Sequence, residues 1–185
     1  CPLSPLLFVT VVDSLLSMLL FKMERCIVKA YADDTAVIIK DLWKDLPVVR
    51  NVYDRFARVS GLTLNIPKTV IIPLGDTTPE DVSLQLQLID DPWQHIGCAT
   101  WGTYLGFATG PGQQQHSWDK AEKNVKDRSK AWPWKTLGLQ FCSHAHNTFV
   151  LSTLLFIAQL ENPPDRIYEA EESALLKAAP GPGAW

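Results

Sequence analysis

Apolar and polar positions change pattern four times along the 185-residue chain, and each change predicts an element. Residues 5–21 are nearly continuously apolar, so a helix over residues 5–23 would be apolar around most of its circumference and central to a core. Ser4 followed by Pro5 suits its start, the hydroxyl capping free amides and the proline filling the first helical position. Within it Asp13 is the one acidic interruption and reads as a buried carboxylate satisfied by a neighbour. Residues 26–40 then switch to two runs rich in β-branched and aromatic residues around a short polar turn. That is a β-hairpin with Asp33 and Asp34 at its tip. Residues 42–60 carry apolar side chains at offsets of three and four, an amphipathic helix stopped by Gly61, with Pro47 as an alternative start.

Further on the pattern is weaker. Residues 62–73 read as two short strands broken at Pro67. Residues 82–88 alternate like an exposed strand, and Asp90-Asp91-Pro92 marks a break that is discounted as a metal site for want of flanking strands. Gly106, within Tyr104-Leu105-Gly106-Phe107, permits a turn or a close backbone approach. From Trp118 onward, Ala121, Val125, Trp132 and Trp134 interleave with basic residues, and residues 141–160 are again apolar, predicting two or three packed helices. The tail from Asn162, ending in Pro180-Gly181-Pro182-Gly183, reads as a short helix between linkers.

A composition of 46% hydrophobic and 20% charged residues suits one compact unit with an appendage. The apolar opening lacks a basic leader, and Asp13 would cost about 2.5 to 3.5 kcal/mol in lipid, so no membrane segment is expected. Cys1, Cys26, Cys98 and Cys142 show no paired spacing, which points to neither a disulfide framework nor a cysteine-rich zinc site, and to an intracellular setting, nucleus or cytoplasm. Cys142, His144 and His146, with His95 and Cys98 further off, likewise miss the recognised zinc spacings. The net charge of −3 argues against a nucleic-acid partner, but residues 117–160 hold a local excess of three positive charges. Lys120, Lys123 and Lys126 within that stretch read either as a solvated helix face or as a track for phosphates.

Two adjacent carboxylates beside apolar strands repel each other unless a cation or hydrogen bonds compensate. Mg²⁺, which keeps several waters and binds one or two carboxylates plus substrate phosphates, suits an open turn. On the residues alone, a solvated turn and a metal site both stand.

The quartet Tyr31-Ala32-Asp33-Asp34, with Ala36-Val37-Ile38-Ile39 behind it, resembles the polymerase motif of reverse transcriptases in its retroelement form. Pro2, Ser4 and Pro5 resemble that family's block before the hairpin. Ser60-Gly61-Leu62 leading to Asn65 and Lys68 resembles the block after it in elements without long terminal repeats. Tyr104-Leu105-Gly106 resembles the primer-grip block, and the four blocks come in the family's order. The resemblance implies an α+β fold: a partial polymerase palm of antiparallel sheet and packed helices over residues 1–110, a helical thumb-like segment over 111–161, and a linker and truncated tail over 162–185.

It further implies a fragment of an RNA-directed DNA polymerase. The parent would transfer nucleotidyl groups from dNTPs to a primer 3′ hydroxyl on an RNA template, using Mg²⁺ or Mn²⁺ in a two-metal mechanism. Asp33 and Asp34 would hold metal, Lys68 would meet the leaving pyrophosphate, and Pro2, Leu3, Ser4, Tyr31 and Ala32 would lie against nucleotide and template. Tyr104, Leu105 and Gly106 would grip the DNA primer. The family's first catalytic Asp and its fingers are expected upstream of Cys1, so the fragment is expected to be inactive alone. The alternative is a remnant that only binds nucleic acid or protein.

Overall fold

The computed structural model describes residues 2–23, 25–89 and 92–181. Cys1, the Asp90-Asp91 pair and Pro182-Gly183 of the tail lie outside the described residues. The chain is a mixture of helices and small, mostly antiparallel two-stranded sheets, an α+β arrangement, and it divides into two compact units, Cys1–Ala99 and Thr100–Trp185. The second unit thus begins before residue 111, where the sequence suggested a boundary.

In the first unit, helix α1 (Ser4–Lys22) begins one residue before the expected start. Leu3, not Ser4, is its cap, and the carbonyl of Leu3 accepts from the Leu7 amide at 3.0 Å. Only Leu15 and Leu19 of α1 are buried. The expectation of a central helix is therefore corrected: α1 packs on one side only, against the second helix and the first strand, and Leu6, Leu7, Val9 and Phe21 are left open. Asp13 is exposed, not buried. By length and composition alone, Ser4–Lys22 and Leu139–Ala158 would suffice to cross a membrane.

Helix α2 (Leu42–Ser60) follows its sequence pattern closely. Asp41 accepts from the Lys44 amide at 3.2 Å to cap its start, Gly61 ends it with φ 73°, and Leu46, Val49, Val52 and Phe56 form its buried stripe. Pro47 lies inside the helix, so it does not mark the start. Between α1 and α2, strands β1 (Ile27–Tyr31) and β2 (Asp34–Ile38) pair antiparallel, with Val28 opposite Val37, Ala30 opposite Thr35 and Tyr31 opposite Asp34. Val28 and Val37 pack against the core that α1 and α2 share, which also holds Val82, Leu86 and Trp93. A hydrogen bond joins Thr35 to the Tyr53 phenol of α2, whose pKa is pushed up by burial.

Two local predictions fail in residues 62–88. Instead of two strands broken at Pro67, residues Ile66–Lys68 make a single 3₁₀ turn, and only Val70–Ile71 (β3) is extended, paired in parallel with Gly97–Cys98 (β4). Residues 82–88 are not a strand. They belong largely to helix α3 (Pro79–Leu86), nucleated by a capping box in which Thr78 accepts from the Asp81 amide and Asp81 accepts from that of Thr78. Val82 and Leu86, four apart, are its buried face.

The second unit opens with a hairpin, β5 (Gly102–Tyr104) and β6 (Phe107–Thr109), followed by helix α4 (His116–Ala131) and the short α5 (Trp134–Leu137). Helices α6 (Leu139–Ala145) and α7 (Ser152–Ala158) are one continuous rod interrupted by a π-helical segment, His146–Leu151. Arg128 of α4 donates to the carbonyl of Phe149 in that segment at 2.6 Å and to Thr153 Oγ1 at 2.8 Å. The short helix read in the tail is α8 (Asp165–Ala178), which buries Ile167, Ala170, Ala174 and Ala178 in the same core as Trp118, Val125 and Val150.

Candidate functional site

Asp33 and Asp34 owe their position to the tightness of the first hairpin. Because Tyr31 pairs directly with Asp34, only Ala32 and Asp33 remain to make the turn. Ala32 supplies it with a left-handed φ of 51°. Such a conformation costs an L-residue about 1 to 2 kcal/mol and is where glycine is usual. The alternation of the strand sends Val28 and Val37 inward and Tyr31 and Asp34 to the opposite, solvated face. Both carboxylates are exposed, and neither makes a hydrogen bond or ion pair among the described residues.

Two uncommitted, adjacent carboxylates on an open tip suit a hard cation that retains water and accepts further oxygen ligands from substrate. Among the described residues no cluster of three or more His, Cys, Asp or Glu side chains could hold a metal ion, so this pair can supply only part of a coordination set.

The other residues singled out by sequence take the following places. Pro2 and Leu3 form an exposed turn before α1, and Ser4 is the exposed first residue of the helix. Lys68 ends the 3₁₀ turn, its amide donating to the Asn65 side chain at 3.3 Å while its own side chain is exposed. In the second unit Leu105 and Gly106 are the two turn residues of β5–β6, with φ of 51° and 88°, the sign pattern of a type I′ hairpin. Tyr104 and Leu105 are half-buried there.

Of the basic stripe on α4, Lys120 and Lys123 are exposed, but Lys126 is paired with Glu122. That removes Lys126 from the set of free cations proposed to track phosphates. Trp118 and Trp134 are buried in the core, so neither offers a face for a base to stack on. Cys142 and His146 point into the core while His144 is exposed.

Sequence reasoning missed a polar network joining α4 to α8. Arg166 donates to Glu122 Oε2 at 2.5 Å, to Asp119 Oδ1 at 2.8 Å and to the carbonyl of Gln115 at 3.1 Å. His116, stacked on Trp101 at 4.3 Å, contacts the other oxygen of Asp119 through Nδ1 at 2.9 Å. The bond from His116, with that from Arg166, holds the Asp119 carboxyl below the usual carboxylate range. The bond from Lys126, aided by Arg166, does the same for Glu122.

A second missed pair is Ser117 and Glu161. Ser117 Oγ accepts from the Ala108 amide at 2.7 Å and donates to Glu161 Oε1 at 2.5 Å. A lone serine 44 positions from its glutamate carries no signal that one sequence can reveal.

No curated protein matches the chain. The family described as reverse transcriptase (RNA-dependent DNA polymerase) matches residues 1–141, which takes in both hairpins, the 3₁₀ turn bearing Lys68 and the whole of α4. With three quarters of its length accounted for by that match, the chain belongs to the reverse transcriptase family.

Proposed function

We propose that the chain is a palm and thumb portion of the reverse transcriptase of a retroelement without long terminal repeats, acting in an intracellular setting on an RNA template and a DNA primer. The observation that carries this reading is the pair Asp33–Asp34, exposed and uncommitted at the tip of a two-residue turn built on a left-handed alanine. Reverse transcriptases generally use divalent metal ions. Held by these two carboxylates, Mg²⁺ or Mn²⁺ would activate the primer 3′ hydroxyl and neutralise the charge of the leaving phosphates.

The chain's own residues divide the remaining work. Tyr31 and Ala32, beside the carboxylates, and Pro2, Leu3 and Ser4, at the start of α1, face the incoming nucleotide and the template base. Lys68 presents an exposed side chain that can neutralise a departing pyrophosphate. Tyr104, Leu105 and Gly106 hold the primer near its 3′ end, and Lys120 and Lys123 of α4 contact the phosphate backbone. Because no third ligand joins Asp33 and Asp34 among the described residues, the reading gives this chain a share of a two-metal site and not the whole of it.

Titrating the protein with Mn²⁺ while following its amide resonances tests the metal assignment. Paramagnetic broadening should centre on Tyr31 to Thr35 and vanish in Asp33→Asn/Asp34→Asn. Broadening centred elsewhere, or unchanged in the double variant, would remove the metal role from this hairpin.

A further inference from the structure

The hairpin β5–β6 has only three residues in each strand, too little to hold its own shape in water. Two features of the second unit fix it. At its tip, Gly106 rests on Phe156 so closely that an added Cβ would stand 3.1 Å from the ring, and the neighbouring Phe107 packs its own ring 5.2 Å from the same side chain. At its edge, the register leaves the Ala108 amide pointing away from Thr103, an unpaired donor in a residue that is 94% buried. Ser117 Oγ accepts that amide at 2.7 Å and passes its own hydroxyl proton toward Glu161 Oε1 at 2.5 Å.

We infer that Ser117 and Glu161 are positioning residues for the Tyr104–Gly106 turn, setting the height and tilt at which it meets the primer 3′ end. Glu161 follows α7, with its amide bonded to the carbonyl of Ile157 at 3.1 Å, so the relay runs from the end of that helix through the first turn of α4 to strand β6. The serine hydroxyl has a single proton, and the carboxylate orients it. With that proton directed at Glu161, the serine lone pairs face the Ala108 amide. Without the carboxylate the hydroxyl is free to turn, and the edge donor of β6 loses its fixed partner. A misplacement of about 1 Å in a group that aligns a reacting end is enough to cost on the order of 100-fold in productive geometry.

The inference rests on the primer-holding role proposed above, and the experiment separates the two. The full chain and its Glu161→Ala, Ser117→Ala and Glu161→Gln variants are compared for binding to an RNA/DNA duplex with a recessed DNA 3′ end, to a blunt duplex of the same length and to single-stranded DNA. Exchange of the Ala108 amide is followed in parallel.

The wild-type chain should prefer the recessed end. Glu161→Ala and Ser117→Ala should lose most of that preference and speed Ala108 exchange about tenfold, the effect of one lost hydrogen bond, with single-strand affinity unchanged. Glu161→Gln, which keeps an acceptor oxygen, should retain both properties. A purely structural role would move all three affinities together and leave their ratio alone, which would overturn the inference. So would a preference that survives Glu161→Ala, and that variant decides the matter if Ser117→Ala fails to fold. A wild-type chain indifferent to the recessed end would instead sink the primer reading itself, whatever the Ala108 amide does.

Discussion

Ala32 does in the first hairpin what glycine does at most turns of this kind, holding φ at 51° with a methyl group in place. Replacing it with glycine relieves a strain of about 1 to 2 kcal/mol and adds roughly 0.5 to 1 kcal/mol of unfolded-state entropy. Ala32→Gly should therefore stabilise the chain by about 0.5 to 1 kcal/mol, read as a higher urea midpoint at unchanged slope. The tip was legible in the sequence because two β-branched runs around two acidic residues leave few other local structures open. The geometry of Ser117 was not, because a serine's partners are chosen by elements far along the chain. Lys126 shows the converse: sequence shows its charge but not that Glu122, one turn away and also held by Arg166, pairs with it.

Elements with a one-sided apolar stripe came out as read, and α2 did so to the residue, with Gly61 as its stop; the Asp41 cap was a local signal passed over. Helix α3 was missed because its eight residues hold only two inward positions, which alternation mimics; the Thr78-Pro79-Glu80-Asp81 start was the better signal. For α1 the type was legible and the burial was not, since an all-round apolar helix does not reveal how many neighbours it will have. The parallel pairing of β3 with β4 joins residues 27 positions apart, and no local pattern encodes it.

The link between α4 and α8 makes a pH dependence. Asp119 and Glu122 have folded pKa values below their unfolded ones, so their contribution is complete above the ordinary carboxylate range and is lost as pH falls through the depressed folded values. Thermal stability should thus decline below about pH 4.5. Arg166→Gln should make that decline modestly shallower, since His116 and Lys126 remain the first partners of Asp119 and Glu122 and Asp119 is half-exposed.

For the whole chain, a net charge of −3 and a nucleic-acid partner are compatible only if binding is confined to a local face. Lys120 and Lys123, like Lys130, are exposed, unpaired cations of α4. Neutralising both as Lys120→Gln/Lys123→Gln should reduce the slope of log affinity against log salt by about 1.4 to 1.8, at 0.7 to 0.9 per phosphate contact. Equilibrium binding to a primer-template between 50 and 200 mM salt measures it, and an unchanged slope would remove the stripe from the interface.

The register of β1 and β2 also bears on how such a chain changes over generations. Sliding β2 by a single residue against β1 would turn Asp34 inward and expose Val37, because one register fixes both. Selection for a soluble, folded hairpin therefore preserves the orientation of Asp34 even in a copy that polymerises nothing. On the proposed metal role, substitution of the exposed aspartates themselves is the change through which loss of catalysis would first be written into the sequence.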